Sequence, residues 1–260
     1  MIKSIAKYCY VLLFSFVFIF VHSPTLYADA PQSWYCKRQS NHCRPSAEPS
    51  MSYVEEENGF FIGPNPDEKV IYLTFDAGYE NGNISRILDT LKAHNAEGAF
   101  FILENLIRRN PELVERMKNE GHLVCNHTAH HKDMTKLSEN EMEDELRALE
   151  TLYSEAFGDA LAPFYRPPEG KFDRKSLAVA KKLGYHTAFW SLAYADWDNN
   201  KQPDPQKAKA LLCEHSHNGA VILLHPTSKT NADILDELLC KWEAEGYRFG
   251  SLMEFTEQAQ

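Results

Sequence analysis

From residue 69 onwards, short apolar runs alternate with amphipathic stretches, and this alternation limits the possible folds more than any other feature of the 260-residue sequence. The apolar runs predict strands at 70–75, 98–103, 123–126, 164–166, 185–190, 220–224 and 247–250. Strands that alternate with helices form a parallel sheet through right-handed crossovers. About seven repeats favour a single-domain α/β fold of the distorted (β/α) barrel type, and a doubly wound open sheet is the alternative.

Local signals mark the ends of several helices. Ser138 and Glu141 form a capping box that begins the clearest helix. Asn110 and Pro111 begin another helix, which ends at Gly121. We therefore expect the helices to be well defined between the strands.

The first thirty residues have the pattern of a secretory signal peptide. Lys3 and Lys7 precede an apolar run at 9–21, and small residues follow at Ala28 and Ala30. We predict a signal peptide at 1–30 and an exported, extracytoplasmic protein. An uncleaved N-terminal membrane anchor is the alternative if the helix extends towards Tyr27, because a membrane-spanning helix needs about 20 apolar residues.

The segment at 31–68 is rich in Ser, Asn, Glu and Pro, and we predict an extended arm that lies over the domain at 69–257. Cys36 and Cys43 lie close together in this segment. In an oxidising compartment they could form a local disulfide, and two free thiols are the alternative. Cys125, Cys213 and Cys240 have apolar surroundings, which predicts small core residues.

The overall charge excludes one class of partner. The chain has 27 basic and 37 acidic residues and a formal net charge of −10. A protein this acidic, without a basic stripe, is not expected to bind nucleic acid by counterion release. The charge favours a neutral or locally compensated substrate, and nothing in the sequence implies a stable protein partner.

Polar side chains follow five of the predicted strands, at the edge where parallel α/β folds build their active sites. Each of these residues is a weak signal alone, but their shared edge indicates a catalytic site. They are Asp76, His127, His131, Arg166, Asp196 and His225.

The spacing of His127 and His131 suggests a metal site. On a helical turn, His127 and His131 would share one face and could bind zinc or a similar divalent ion. A polar, solvated turn is the alternative. Asp76 could serve as a general base, a metal ligand or a helix cap, and Arg166 would pair with it and keep it ionised.

His225 is a natural general acid, and Asp196 could orient its imidazole and raise its pKa. The alternative for His225 is a buried histidine bonded to the backbone. Trp190 and Trp197 are of a type more often found in cores, but an aromatic side chain near this edge would suit stacking on a sugar face.

Taken in order, five motifs resemble those of the polysaccharide deacetylases of carbohydrate esterase family 4. They are T-F-D-x-G at 74–78, H-[ST]-x-x-H at 127–131, R-P-P-x-G at 166–170, D-W at 196–197 and L-x-H at 223–225. The resemblance covers about residues 69–255. The longer run at 74–82, together with Trp34 and the Asn41-His42 pair of the arm, resembles the sporulation branch of the family. That branch contains the muramic acid deacetylases that lead to the δ-lactam of the spore cortex.

The resemblance implies a role for each candidate residue. Asp76 would activate water and Arg166 would steer it. His225 would protonate the departing amine with support from Asp196, and a backbone N–H after the Arg-Pro-Pro turn would stabilise the oxyanion. The remaining assignments are His127 and His131 as ligands of a divalent metal and Tyr79, Glu80, Pro168 and Trp197 as substrate contacts.

One position departs from the family pattern. Ala77 stands where most members have an Asp that is the third metal ligand, so the ion would be weakly held, completed by water or bound by another residue such as Glu80. The resemblance predicts hydrolysis of N-acetylmuramic acid residues in a peptidoglycan strand by a catalytic domain at 69–257. The alternatives are an N-acetylglucosamine deacetylase, an O-acetyl esterase and a non-catalytic glycan-binding protein.

Overall fold

The computed structural model describes residues 30–257. Nearly all of the predicted signal peptide, and with it the alternative of a membrane anchor, lies outside the described residues. Within the described range, no helix is long and apolar enough to cross a membrane. From Pro31 onwards the chain forms one compact unit.

Strands and helices alternate over most of this unit. The strands are β1 (Gln32–Ser33), β2 (Gly59–Phe60), β3 (Val70–Ala77), β4 (Gly98–Ile102), β5 (Leu123–Asn126), β6 (Phe164–Tyr165), β7 (Lys171–Phe172), β8 (His186–Ala188), β9 (Leu192–Ala193), β10 (Ala220–Leu224) and β11 (Arg248–Phe249). The helices are α1 (Tyr53–Glu56), α2 (Ile84–Ala93), α3 (Glu104–Arg109), α4 (Pro111–Asn119), α5 (Glu139–Phe157), α6 (Arg174–Lys182), α7 (Pro205–His215), α8 (Lys229–Ala244) and α9 (Glu254–Glu257).

A nine-stranded sheet forms the centre, and all of its strand pairs are parallel. Its strands follow the order β2-β8-β6-β5-β4-β3-β10-β9, and β11 also pairs with β3. The predicted α/β fold of the distorted (β/α) barrel type, with a parallel sheet, is confirmed. The predicted starts of two helices are confirmed as well, because Ser138 and Glu141 form the capping box of α5 and Asn110 is the N-cap of α4.

The predicted strand at 185–190 is wrong in one respect, because β8 ends at Ala188 and a separate strand, β9, begins at Leu192. The backbone N–H of Phe189 donates to the carbonyl of Phe60 at 2.8 Å, whereas that of Ser191 donates to Val221 at 2.9 Å. The chain therefore passes from pairing with β2 and β6 to pairing with β10 within a few residues. This change of partner bends the chain there and curls the sheet.

The segment at 31–68 is built into the domain. β2 is an edge strand of the sheet, and β1 pairs antiparallel with β7. Trp34 is 5% exposed, and its ring stacks on Phe189 with centroids 4.4 Å apart. Cys36 is buried and Cys43 is exposed. Both are free thiols, so the structure has the second of the two predicted states and no disulfide between them.

The apolar faces of the helices cover the sheet. On α8, the buried residues include Leu235, Leu238, Leu239 and Trp242. Cys240 lies on the other side of this helix and is exposed, so its prediction as a core residue is wrong, whereas Cys125 and Cys213 are buried as predicted.

Candidate active site

A cavity of about 960 Å³ lies at the carboxyl ends of the central strands. Asp76 at the end of β3, His127 after β5 and His225 after β10 all line it, together with His131 and Trp197. The structure thus brings these predicted residues together at the predicted edge. Arg166 and Asp196 are fully buried. Each contacts a side chain that lines the cavity, Arg166 that of Asp76 and Asp196 that of His225.

Arg166 holds Asp76 by a direct ion pair. Its Nη1 donates to Asp76 Oδ1 at 2.7 Å, while Nε donates to the carbonyl of Ala188 at 2.9 Å and Nη2 to Thr74 Oγ1 at 2.8 Å. The guanidinium also lies 4.1 Å from the centre of the Phe101 ring. Burial alone would raise the pKa of the Asp76 carboxyl, but the nearby Arg166 charge keeps that pKa below its ordinary value. Asp76 is therefore an ionised base at neutral pH.

His127 presents one ring nitrogen to the cavity. Its Nδ1 lies 2.9 Å from the carbonyl oxygen of Arg166, and because only an N–H can bond to a carbonyl, Nδ1 is the donor. Nε2 then carries the lone pair, 3.6 Å from Asp76 Oδ2. Burial lowers the pKa of His127 to about 4. The ring is therefore neutral at physiological pH, which is the form that binds metals.

His131 approaches His127 through a loop. The two ring centroids are 5.0 Å apart in an edge-to-face arrangement. The prediction of a helical turn is wrong, because Thr128 and His131 have positive φ angles of 71° and 57° and the Thr128 hydroxyl accepts the His131 N–H at 2.9 Å. His130, between them, is not a member of the site, and its Nδ1 bonds to Glu145 at 3.0 Å.

The donors that surround His127 suit a divalent ion. A neutral imidazole with a free lone pair, a second imidazole and a carboxylate are ligands that zinc accepts. Ala77 is fully buried and supplies no ligand. Glu80 does not replace it, because its Oε2 accepts the backbone N–H of Ile84 at 3.1 Å and so caps α2.

A second set of donors lies on the surface between α2 and α8. In the described part of the chain, His94, Asp236 and Cys240 are the three His, Cys or carboxylate groups whose ligand atoms all lie within 4.8 Å of one another. The ligand atoms near His127 are spread more widely than this. His94 is already bonded to Asp236 and to Glu243, at 3.1 Å each.

His225 is paired with Asp196 as the sequence suggested. Its Nδ1 lies 2.7 Å from Asp196 Oδ1, and its backbone N–H donates to Oδ2 at 2.8 Å. Burial would lower the pKa of His225, but the hydrogen bond and charge of Asp196 raise it above the ordinary value. Asn231 also donates to Asp196 Oδ2, at 2.6 Å. Sequence reasoning missed Asn231, because an asparagine in the first turn of a helix carries no distinctive signal.

Two of the four predicted substrate contacts lie at the cavity. Tyr79 and Trp197 line it and are 45% and 61% exposed. Glu80 and Pro168 are not among the described residues that line it, and their roles as substrate contacts stay predictions. Glu80 is used as a helix cap, and Pro168 is buried while Glu169, with a φ of 57°, takes the place on the cavity wall.

The arm supplies cavity residues to which the motifs assigned no role in the site. They are Trp34, Tyr35, Cys36 and Arg38. Their position depends on the pairing of β1 with β7, which brings the arm beside the turn at 168–170. Two adjacent aromatic residues in an otherwise polar segment were the one signal that could have drawn attention to this part of the arm.

Comparisons with known proteins agree with this geometry. The sequence profile of the polysaccharide deacetylase family matches residues 63–188. The peptidoglycan-N-acetylmuramic acid deacetylase PdaA of Bacillus subtilis is 39% identical over 86% of this chain and 85% of its own length. A peptidoglycan-N-acetylglucosamine deacetylase of Bacillus cereus is 31% identical over 87% of this chain and 81% of its own.

The solved structure of Bacillus subtilis PdaA, a family 4 carbohydrate esterase, superposes with a TM-score of 0.85 and 37% identity. The match covers 89% of this chain and 99% of the solved one. Both the sequence and the fold are thus shared over nearly the whole described unit. The chain belongs to the polysaccharide deacetylase family, carbohydrate esterase family 4.

Proposed function

We propose that this protein removes the acetyl group from N-acetylmuramic acid residues of peptidoglycan, as a step towards the muramic δ-lactam of the spore cortex. The observation that carries the proposal is the pair of ionisable groups in one cavity. Asp76 is held ionised by Arg166, and His225 has a raised pKa beside Asp196. Environments that push two titratable groups in opposite directions suit a general base and a general acid. Similarity to PdaA supports muramic acid as the sugar.

The reaction is the hydrolysis of an amide. Asp76 takes a proton from water while the water oxygen bonds to the acetyl carbon. His225 donates its Nε2 proton to the sugar nitrogen as the carbon–nitrogen bond breaks, which leaves acetate and a free amine. Arg166 and Asp196 do not touch the substrate and position the two catalytic groups. Glu169 follows two prolines, which have no N–H, so its N–H is the first donor of that turn for the oxyanion.

His127 and His131 would hold the divalent ion of the site, zinc or a similar metal. When bound, such an ion polarises the acetamide carbonyl as a Lewis acid. The absence of a ligand at Ala77 would leave more of the coordination to water, so we expect weaker binding than in relatives with an additional Asp. Chelation should lower acetate release, and added zinc should restore it.

We also propose that the protein acts outside the cytoplasm. A signal peptide at 1–30, an arm at 31–68 and a catalytic domain at 69–257 would deliver an exported, extracytoplasmic enzyme to the cell wall or spore envelope. Its partner there is a glycan strand of peptidoglycan. The peptidoglycan deacetylases among its relatives support this location.

The test is acetate release by the purified protein. The substrates are peptidoglycan strands with and without stem peptides, beside chitooligosaccharides, each with and without added zinc. Release from peptide-free muramic acid alone is expected. Asp76→Asn and His225→Ala should each lower the rate by about 10²–10⁴-fold. Parent-like turnover by both variants would refute the assigned roles.

An N-acetylglucosamine deacetylase is the second candidate, which the Bacillus cereus relative favours. Acetate release from chitooligosaccharides at a rate equal to that from muramic acid would support it. A non-catalytic glycan-binding protein would bind the same strands and release no acetate from any of them, with or without metal.

A further inference from the structure

The arm is anchored to the cavity wall around Trp34. The indole N–H of Trp34 donates to the carbonyl of Trp190 at 2.8 Å, and its backbone N–H donates to Gly170 at 2.8 Å. With its ring also stacked on Phe189, this residue holds the arm against the turn at 168–170 and the segment at 189–190. Arg38 lies four residues further along and lines the same cavity.

Arg38 carries a charge that the cavity does not neutralise. Among the residues that line the cavity, Asp76 is already paired with Arg166 at 2.7 Å. Glu169 is paired with Lys171 at 2.6 Å. In the described part of the chain, no carboxylate lies within 4.0 Å of the Arg38 guanidinium, and the side chain is exposed. In a protein with a net charge of −10, an unpaired arginine beside the catalytic groups is available to an anionic ligand.

The position of Arg38 relates it to the catalytic acid. Its Nη1 lies 3.4 Å from the carbonyl oxygen of Ala193 in β9. Ala193 is the register partner of Leu223 in β10, and His225 follows two residues later. Arg38 therefore lies on the part of the wall next to the group that protonates the sugar nitrogen. That nitrogen is on C2 of the sugar, and a substituent on the adjacent C3 would be close to the same wall.

Muramic acid differs from glucosamine at C3, where it carries a lactyl ether with a carboxyl group. This carboxylate is free when the stem peptide has been removed, and it is an amide when the peptide is present. We propose that Arg38 binds the lactyl carboxylate and thereby selects peptide-free N-acetylmuramic acid, an inference that rests on the proposed function. The planar guanidinium suits a carboxylate because it can donate two parallel hydrogen bonds.

The experiment compares Arg38→Gln with Lys37→Gln. The control removes the same charge from the neighbouring position, where the side chain is exposed and outside the cavity lining. The substrates are peptide-free glycan strands, the same strands with the lactyl carboxyl converted to a neutral amide, and chitooligosaccharides. A lost charge-assisted hydrogen bond should lower kcat/KM of Arg38→Gln on the first substrate by about tenfold to a hundredfold. The other two substrates and the control variant should change less than about twofold, within the usual effect of a surface substitution.

The outcomes separate this inference from the proposed function. An equal loss on all three substrates would mean that Arg38 only supports the fold, and no loss on the first would mean that it does not contact the carboxylate. In parallel, binding of the first two substrates is measured for two variants, Asp76→Asn and Asp76→Asn/Arg38→Gln. If the parent protein releases no acetate but its binding of the free carboxylate depends on Arg38, the function fails and the inference stands. If acetate is released but neither kcat/KM nor strand binding changes when Arg38 is replaced, the inference fails and the function stands.

Discussion

Replacing Arg166 by Met tests whether the buried guanidinium is needed because it neutralises Asp76. Methionine fills part of the space and makes none of the hydrogen bonds. The Arg166 side chain is fully buried and that of Asp76 is only 12% exposed, so the variant leaves a carboxylate in a largely dry environment. Removing one partner of a buried ion pair destabilises by about 3–5 kcal/mol. For a domain of this size, that loss corresponds to a decrease in Tm of about 6–20 °C.

The stability lost in Arg166→Met should depend on pH, and the Arg166–Asp76 ion pair determines the direction of that dependence. In the parent, the pKa of Asp76 is lowered, so its contribution to stability is present above the ordinary pKa and is lost as the pH falls through the folded-state value. In Arg166→Met, burial is unopposed and raises the pKa of Asp76. The carboxyl then takes up a proton at a higher pH, and the penalty disappears with the charge. The difference in unfolding free energy between parent and variant should therefore be largest at neutral pH and shrink in acid.

Urea unfolding at a series of pH values measures this difference, with Asp76→Asn and Arg166→Met/Asp76→Asn as the companion variants. The double variant has no buried charge, so it should be more stable than Arg166→Met at neutral pH and should lack the pH dependence. Equal stability of the single and double variants would refute the reasoning. The cost would then come from the hydrogen bonds of Arg166 to Thr74 and to backbone carbonyls.

Two further predictions follow from the geometry of the site. Because Asp196 raises the pKa of His225, the imidazolium form persists to higher pH, and Asp196→Asn should move the alkaline limb of the pH–rate profile to lower pH. An unmoved limb would show that His225 is not the titrating acid. Gly170→Ala would place a Cβ 2.7 Å from a ring carbon of Trp190 at a φ of +64° and should destabilise by about 1–3 kcal/mol in thermal unfolding. Gly121→Ala, with a φ of +84° and open space, is the control for backbone strain alone, and equal losses would exclude the clash.

The sequence predicted the parallel sheet because periodicity and helix caps are local signals. Ser138, Glu141 and Asn110 act as predicted because a capping residue contacts only the next turn of its own helix. The end of β8 at Ala188 and the start of β9 at Leu192 were not predictable in this way. They depend on which strands lie on either side of Phe189 and Ser191, and apolar residues on both sides of the bend give the same pattern as one continuous buried strand.

The candidate site shows the same contrast. Asp76, His127 and His225 were found because residues after parallel strands meet at one edge, whatever the details of the loops. The positions of Glu80 and Pro168 outside the cavity lining could not be predicted in this way, because they depend on loop conformation. A carboxylate four residues before the first residue of a helix can face the cavity or accept the first N–H of that helix, and the motif is the same in both cases.

Arg166 connects the fold and the site more closely than the motif suggested. Its guanidinium bonds to Asp76, and it also donates to the carbonyls of Ala188 and Phe189, at the point where β8 ends and the chain bends towards β9. The same side chain therefore orients the base and satisfies carbonyls at the bend that curls the sheet. An arginine is suited to this position because its five N–H donors reach all these acceptors at once, whereas a lysine has three on one nitrogen. We conclude that a substitution at Arg166 would disturb both the position of Asp76 and the bend between β8 and β9.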